Sequence, residues 1–419
     1  MSFSFVHAAD LHLDCPFGGI RDIPPEVAAA LKDATFTAWD RIVDLSIESG
    51  AAFLVVAGDV YNSTDKSLRA QLRFRDGLAR LAEAGIPSYI VFGNHDPAGE
   101  WSDALDWPDR AHFLSHKSVE TRDVVSNGTQ IAGVTGISYP KREVRENLAA
   151  RYTRGDRSVF SVALLHCSCG PSGDHEPYAV CTLDDLSRQT FDYWALGHIH
   201  TRAILKDSGP AVVYPGNPQG LNPKETGARG CYLVHVDDSG VPHPEFCETD
   251  SIRWFRQEIK IDGMTREQEV ITALRDEVEQ IRAVAGRPAL VRFELIGRGG
   301  VHASLSRASV LNDITGDLRN WEALEGDFVW VESLRASTKP AVDLEERRKA
   351  EDFVGDFLRT VQEARENPEV FEALKSALDP LFNDSRAHKV LSQPTDERMH
   401  EWLDAAEVYA FDALVGDGE

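Results

Sequence analysis

Positive charge is scarce in this chain. Its 419 residues include 44 Lys and Arg against 68 Asp and Glu, a formal net charge of -24. Phosphate contacts are made by Lys and Arg, so composition weighs against a nucleic-acid partner unless cations held by carboxylates change the local balance. The excess is uneven: residues 343–419 hold 20 acidic and 9 basic side chains and so supply 11 of the 24 negative charges. Cysteine is scarce too. Six in a chain of this length, with no CxxC spacing, exclude a disulfide framework and read as reduced thiols. No apolar run reaches the roughly 18 residues of a membrane helix, and the opening Met1-Ser2-Phe3-Ser4-Phe5-Val6 lacks the basic flank and cleavage site of a signal peptide. A soluble cytoplasmic protein without membrane contact is expected. Internal repeats and low-complexity tracts are absent.

Apolar residues, at 42%, suffice for a core, and the length exceeds what one core organises, so two or three domains are expected. The informative pattern is a set of apolar strands that stop abruptly at residues able to bind metal. Residues 3–8 run into Asp10 and His12, with Asp14 on the same side if the strand persists. Residues 52–57 end in Gly58-Asp59, and residues 90–92 end in Gly93-Asn94-His95-Asp96. Residues 160–165 stop at His166, and residues 191–196 run into Gly197-His198-Ile199-His200. In open α/β sheets ligands collect outside the carboxyl ends of strands, which is where all these residues fall. Helices at 25–49 and 67–84 would cover a sheet, and the later β-rich stretches suit a second sheet packed face to face on the first.

Beyond residue 262 the texture changes. An amphipathic helix at 265–285, a strand at 289–296, a helix at 304–320 and a strand at 328–334 make a small α/β unit. It has no clustered His or Asp and is expected to shape access. After Pro340 the chain reads as acidic helices at 344–364, 368–382 and 395–414. The expected division is 1–262, 263–340 and 341–419.

Asp, Asn and His together suit Mn²⁺, Fe²⁺ or Zn²⁺ better than Ca²⁺, which prefers an all-oxygen shell. A two-metal site needs a carboxylate shared by both cations, and Asp59, alone at its strand end, is the candidate. Such a pair lowers the pKa of a shared water and clamps phosphoryl oxygens during in-line attack, while a protonated imidazole opposite would help the leaving oxygen depart.

The series Asp10-Leu11-His12, Gly58-Asp59, Gly93-Asn94-His95-Asp96, His166 and Gly197-His198-Ile199-His200 resembles, in order and content, the five motifs of the calcineurin-like metallophosphoesterases. Asp10-Leu11-His12-Leu13-Asp14 and Tyr214-Pro215-Gly216-Asn217-Pro218-Gln219-Gly220 look like the bacterial DNA repair exonucleases of the SbcD and YhaO type. The motifs cover residues 1–250. The resemblance implies an αββα sandwich, followed here by the small α/β capping domain and helical tail. It implies one metal on Asp10, His12, Asp59 and His200, a second on Asp59, Asn94, His166 and His198, and His95 as the catalytic imidazole steadied by Asp96. It further implies two divalent cations, Mn²⁺ first, DNA as substrate, and a coiled-coil ATPase docked on the C-terminal helices. It leaves a homodimer open.

Each residue also has a plainer reading. Asp14 either orients His12 or starts a turn; Cys167 and Cys169 read as packing; His7, His112, His116 and His175 read as ordinary histidines. The apolar stripe at Phe353, Phe357 and Val361 reads as intramolecular packing. Three functions compete: a DNA exonuclease or endonuclease, a phosphodiesterase for a small diester or nucleotide, and a binding subunit with scaffolding metals. Intact motifs disfavour the last. A nuclease would need Arg21, Lys141, Arg142, Arg145, Lys224 and Arg229 to form a positive groove.

Overall fold

The computed structural model describes residues 2–20, 23–62, 67–98, 105–155, 158–170, 177–324, 326–342, 344–383 and 393–415. Arg21 and His175 lie outside the described residues.

The chain begins with β1 (Phe3–Ala8), α1 (Pro25–Glu48) and β2 (Leu54–Ala57), then α2 (Leu68–Glu83), β3 (Ser88–Val91) and β4 (Ala111–Phe113). Pro25 opens α1, where its missing N–H costs nothing, and the Ser67 side chain caps α2 by accepting from the Ala70 N–H. A hairpin of β5 (Glu120–Ser126) and β6 (Thr129–Gly136) follows, then β7 (Phe160–His166), α3 (Leu183–Arg188), β8 (Tyr193–Gly197), β9 (Ala203–Lys206) and β10 (Ala211–Tyr214). Next come β11 (Gly230–Val236), β12 (Pro242–Glu248), β13 (Arg253–Lys260), α4 (Glu267–Ala285), β14 (Ala289–Gly299), α5 (His302–Leu305), α6 (Ala308–Trp321) and β15 (Val329–Pro340). The described chain ends in α7 (Leu344–Arg348), α8 (Phe353–Glu366), α9 (Pro368–Asn383) and α10 (Asp396–Val415).

Two six-stranded sheets and one of three strands result, in the orders β12-β11-β1-β2-β3-β4, β5-β6-β7-β8-β10-β9 and β13-β14-β15. β1, β2 and β3 are parallel, as are β7 and β8, so the carboxyl ends within each set share one edge of its sheet. Alternation sorts their side chains into layers. Val55 and Ala57 of β2 join Val162 and Leu164 of β7 in the core between the sheets. Leu54 and Val56 face Phe36, Trp39 and Ile42 of α1 and Phe74 and Leu78 of α2. Ala163 and Leu165 face Tyr152, Leu186 and Trp194 on the far side of the second sheet. This is the expected αββα sandwich, with its second helical layer reduced to α3 and a short turn at Leu148–Arg151.

Four strands were not foreseen. β4, β5, β9 and β12 lie at sheet edges, where side chains face water and apolar periodicity is weak. β12 even contains Pro242 and Pro244, tolerable because an edge strand needs hydrogen bonds on one side only. The expected helix at 344–364 is broken into α7 and α8 because Asp352 turns extended and caps α8 at the Gly355 N–H. Phe353 consequently points outward at 71% exposure, while Leu358 and Val361 are buried.

By contacts the chain divides into two compact units. The first comprises Met1–Ile259, Gln268–Leu295 and Arg307–Ala336, and the second Lys260–Glu267, Ile296–Ser306 and Ser337–Glu419. Within the second, the buried Glu407 of α10 receives Arg348 at 2.8 Å and Arg365 at 2.6 Å. No helix among the described residues is long and apolar enough to cross a membrane.

Phe53 tests the inter-sheet core. It is fully buried and stacks on Phe5 with ring centroids 4.8 Å apart. Phe53→Ala is expected to cost about 3–5 kcal/mol of stability in urea denaturation; a loss below about 1 kcal/mol would show that the two sheets repack freely.

Candidate metal centre

The sandwich brings all nine predicted site residues to the carboxyl ends of five strands. Asp10 and His12 follow β1, Asp59 follows β2, Asn94, His95 and Asp96 follow β3, His166 ends β7, and His198 and His200 follow β8. All are buried except His95 and His200, which are half-buried.

Their backbone is shaped for this. The expected continuation of β1 through Asp14 does not occur: the strand ends at Ala8, and Asp10, His12 and Asp14 take positive φ of 53°, 42° and 63°. Asp59 (φ 51°) and His198 (φ 96°) do the same. Left-handed geometry in residues with a Cβ costs on the order of 1–3 kcal/mol each and persists where surrounding bonds enforce it. Here the Asp10 N–H donates to the Gly58 carbonyl at 3.0 Å and the His12 N–H to the Asp59 carbonyl at 3.1 Å. Asp14 turns away from His12, accepting from Ser67 and from Arg69 at 3.2 Å. Gly93 allows the close approach at the third strand, where a Cβ would collide with the Asp59 carboxylate.

The side chains converge on Asp59. Its Oδ2 lies 3.4 Å from His166 Nε2 and 4.0 Å from His12 Nε2, while Oδ1 accepts from the His95 N–H at 2.9 Å. Asn94 Oδ1 lies 2.9 Å from the same His166 Nε2. His166 Nδ1 faces the Ala57 carbonyl at 2.8 Å, an arrangement that makes Nδ1 the N–H and points Nε2 at the carboxylate. His12 Nε2 and His200 Nε2 are 3.1 Å apart, close enough for one proton or one cation to serve both. Asp10 accepts the His198 N–H through both oxygens, at 2.9 and 3.1 Å. Among the described residues two sets able to hold a cation stand out, Asp10-His12-His200 and Asp10-Asp59-His166; the carboxylate common to both is Asp10 rather than the expected Asp59, although Asp59 Oδ2 also lies 4.0 Å from His12 Nε2 of the first set. Converging carboxylates and imidazoles, with outer hydrogen bonds fixing each ring, fit divalent metals.

Comparison with known proteins agrees. Residues 3–202 match the calcineurin-like phosphoesterase family, and residues 254–339 match the middle domain of metallophosphoesterase YhaO. Metallophosphoesterase YhaO of Bacillus subtilis (strain 168) is 36% identical over 342 residues, 81% of this chain and 83% of its own. The chain belongs to the calcineurin-like metallophosphoesterases. Archaeal relatives carry the description DNA double-strand break repair protein Mre11. That of Sulfurisphaera tokodaii is 26% identical over 256 residues, 59% of this chain and 62% of its own. That of Methanopyrus kandleri is 24% identical over 370 residues, 81% and 78% respectively.

The candidate centre sets buried acids and imidazoles against one another. Burial pushes Asp10 up to about 6, against the pull of His166 and His200. Burial would raise Asp59 too, yet the imidazole of His166 holds it below the ordinary carboxylate range. Burial opposes a charged His166, but Asp59 and Asp10 prevail and raise it to about 9. Burial and then His200 push His12 down to about 3. Burial and the nearby Asp59 raise Asp96 to about 7, although it accepts from the Gly93 and Val60 N–H groups at 2.8 and 2.7 Å. Asp96 thus ties the second and third loops together through their backbones.

Two participants escaped the sequence reading. Asn62 presents Oδ1 to His95 Nδ1 at 3.2 Å, three residues beyond Asp59. Glu225 accepts from His200 Nδ1 at 2.7 Å and from the Leu221 N–H at 2.6 Å. Burial raises Glu225, but these donors bring it down to about 2. Neither residue ends an apolar strand, so neither carries a strand-end signal. The loop at 215–220 is explained as well: Arg229 donates to the His200 carbonyl and, at 2.9 Å, to Asn217, fastening that loop beside the metal centre.

Gly93→Ala is expected to displace Asp59 and lower hydrolysis of bis-p-nitrophenyl phosphate at least about 100-fold, with circular dichroism unchanged. Activity within about threefold of the parent would mean that the Asp59 position is not critical.

Proposed function

We propose that this metallophosphoesterase is a DNA nuclease of repair type, cleaving phosphodiesters with two divalent cations. The observation that carries this is the buried Asp59 carboxylate, whose Oδ2 lies 3.4 Å from His166 Nε2 and 4.0 Å from His12 Nε2. Asp10, His12, Asp59 and His200 would hold one cation, and Asp59, Asn94, His166 and His198 the other. Mn²⁺ is the proposed metal, with Fe²⁺ and Zn²⁺ suited to the same donors. When bound, the pair supplies hydroxide at neutral pH and charge opposite the phosphoryl oxygens. His95 is the proposed catalytic imidazole. With Nδ1 turned to Asn62, its Nε2 is the atom to pass a proton to the leaving oxygen, and Asp96 keeps the loop beneath it in place.

The Mre11 relatives support DNA as substrate. A net charge of -24 favours the competing reading, a phosphodiesterase for small diesters or nucleotides. A division at residues 262 and 340, a cytoplasmic location and a homodimer belong to the same proposal. So does docking of a coiled-coil ATPase on the C-terminal helices, which expose Phe353, Leu381 and Tyr409.

On end-labelled linear DNA with Mn²⁺, Asp59→Ala is expected to abolish cleavage, and His95→Ala to lower it by about 100-fold to 10,000-fold while retaining cations by calorimetry. Turnover of bis-p-nitrophenyl phosphate without any DNA cleavage would select the small-diester reading.

Cation binding must displace the His166 proton, whose folded-state pKa is near 9. Mn²⁺ affinity is therefore expected to rise with pH, about tenfold per unit between pH 7 and 9, and to level off above. An affinity independent of pH over that interval would show that no proton on His166 is displaced by the cation there.

A further inference from the structure

Beside the centre lies a cleft of about 270 Å³ whose lining includes His200, Thr201, Arg202, Thr226 and Arg229. Its two charged side chains other than His200 are arginines, in a chain dominated by carboxylates. Most arginines among the described residues are in ion pairs with carboxylates; Arg229 feels the charges of Glu225 and Asp250, but Glu225 is engaged by His200 at 2.7 Å and Asp250 by Arg253 and Arg287, each at 2.9 Å. The carboxylate of Glu248, whose charge Arg202 feels, is already taken by Arg253 at 2.7 Å and Arg287 at 2.8 Å.

Arg202 is held ready. Its guanidinium lies over the Phe246 ring at 4.0 Å, and Nη1 donates to the Ala228 carbonyl at 2.9 Å. A fork fixed by stacking and one backbone bond loses little freedom when it meets an oxyanion. Arg229 is fixed by the His200 carbonyl and Asn217, and Thr201 and Thr226 belong to the same lining. His200 belongs both to the cleft and to the candidate metal centre, so the two share a wall.

We propose that this cleft is a second phosphate subsite: it takes the phosphate one nucleoside away from the one at the metals, and Arg202 is its principal contact. This rests on the phosphodiester chemistry proposed above and deepens it. The substrate is a strand read through at least two phosphates, and the cleft supplies local positive charge that the composition of the whole chain conceals.

The test is calorimetric binding to the Mn²⁺-loaded full chain. Thymidine 3′,5′-bisphosphate, which can offer its second phosphate in either polarity, is compared with thymidine 3′- and 5′-monophosphates. The bisphosphate is expected to bind about tenfold more tightly than either. In Arg202→Gln that ratio should fall below about twofold, and Arg202→Lys should restore part of it. Taking the ratio within each protein cancels any general loss of folded protein. The trithymidylate TpTpT with both linkages as hydrolysis-resistant phosphorothioates, compared with its one-linkage dimer, separates sources: a gain there too assigns the cleft to internal diesters, and a gain confined to the bisphosphate assigns it to a strand terminus. Equal affinities for bisphosphate and monophosphates, or a gain that survives Arg202→Gln, would overturn the subsite. Linear DNA left uncut while the bisphosphate gain holds would defeat the nuclease reading and leave the subsite standing.

Discussion

Asp59 must stay charged in a place where burial favours the neutral acid. One carboxylate on a bare strand end could not do this; the imidazole of His166, held 3.4 Å away, makes it so. The two groups come from different sheets. Their meeting requires β2 and β7 to pack face to face with carboxyl ends aligned, and the His166 Nδ1 to Ala57 carbonyl bond ties those ends together. The sandwich, its alternating strands and its small residues at the crossing point all serve to bring opposite charges into a dry place at fixed distance.

That place is costly to build. Five residues with side chains take left-handed backbone geometry within the loops that carry it, four of them proposed metal ligands. Asp96 spends a buried carboxylate on backbone N–H groups of two loops. Such strain is expected where the loops cannot relax without losing their ligands. Divalent cations would relieve the tension: they replace the His166 proton, neutralise Asp10 and let His12 and His200 face each other without sharing a proton.

The site was largely legible because strand ends announce themselves: an apolar run that halts at Asp, Asn or His gives both a position and a chemistry. Both sheets could be anticipated for the same reason, since central strands buried on two faces are continuously apolar. Edge strands carry no such signal, and β4, β5, β9 and β12 are not legible in the sequence. Asn62 and Glu225 carry no such signal because they act on other side chains from loops, where spacing says nothing about proximity. Asp14 misled in the opposite direction. Its place in an Asp-x-His-x-Asp alternation depended on a strand that stops at Ala8, and the turn sends its carboxylate to Ser67 and Arg69.

The charge of -24 and a polyanionic substrate conflict only if charge is read as an average. Glu407, Asp404 and Asp396 in α10 meet Arg348, Arg365 and Lys375 within the second unit, far along the chain from the metal motifs. The central claim is narrower than the substrate: two cations share Asp59. Electron paramagnetic resonance of the Mn²⁺-loaded protein measures this directly. The account predicts the spectrum of an exchange-coupled pair, lost in Asp59→Ala; the spectrum of isolated Mn²⁺ ions in the parent protein at full loading would contradict it.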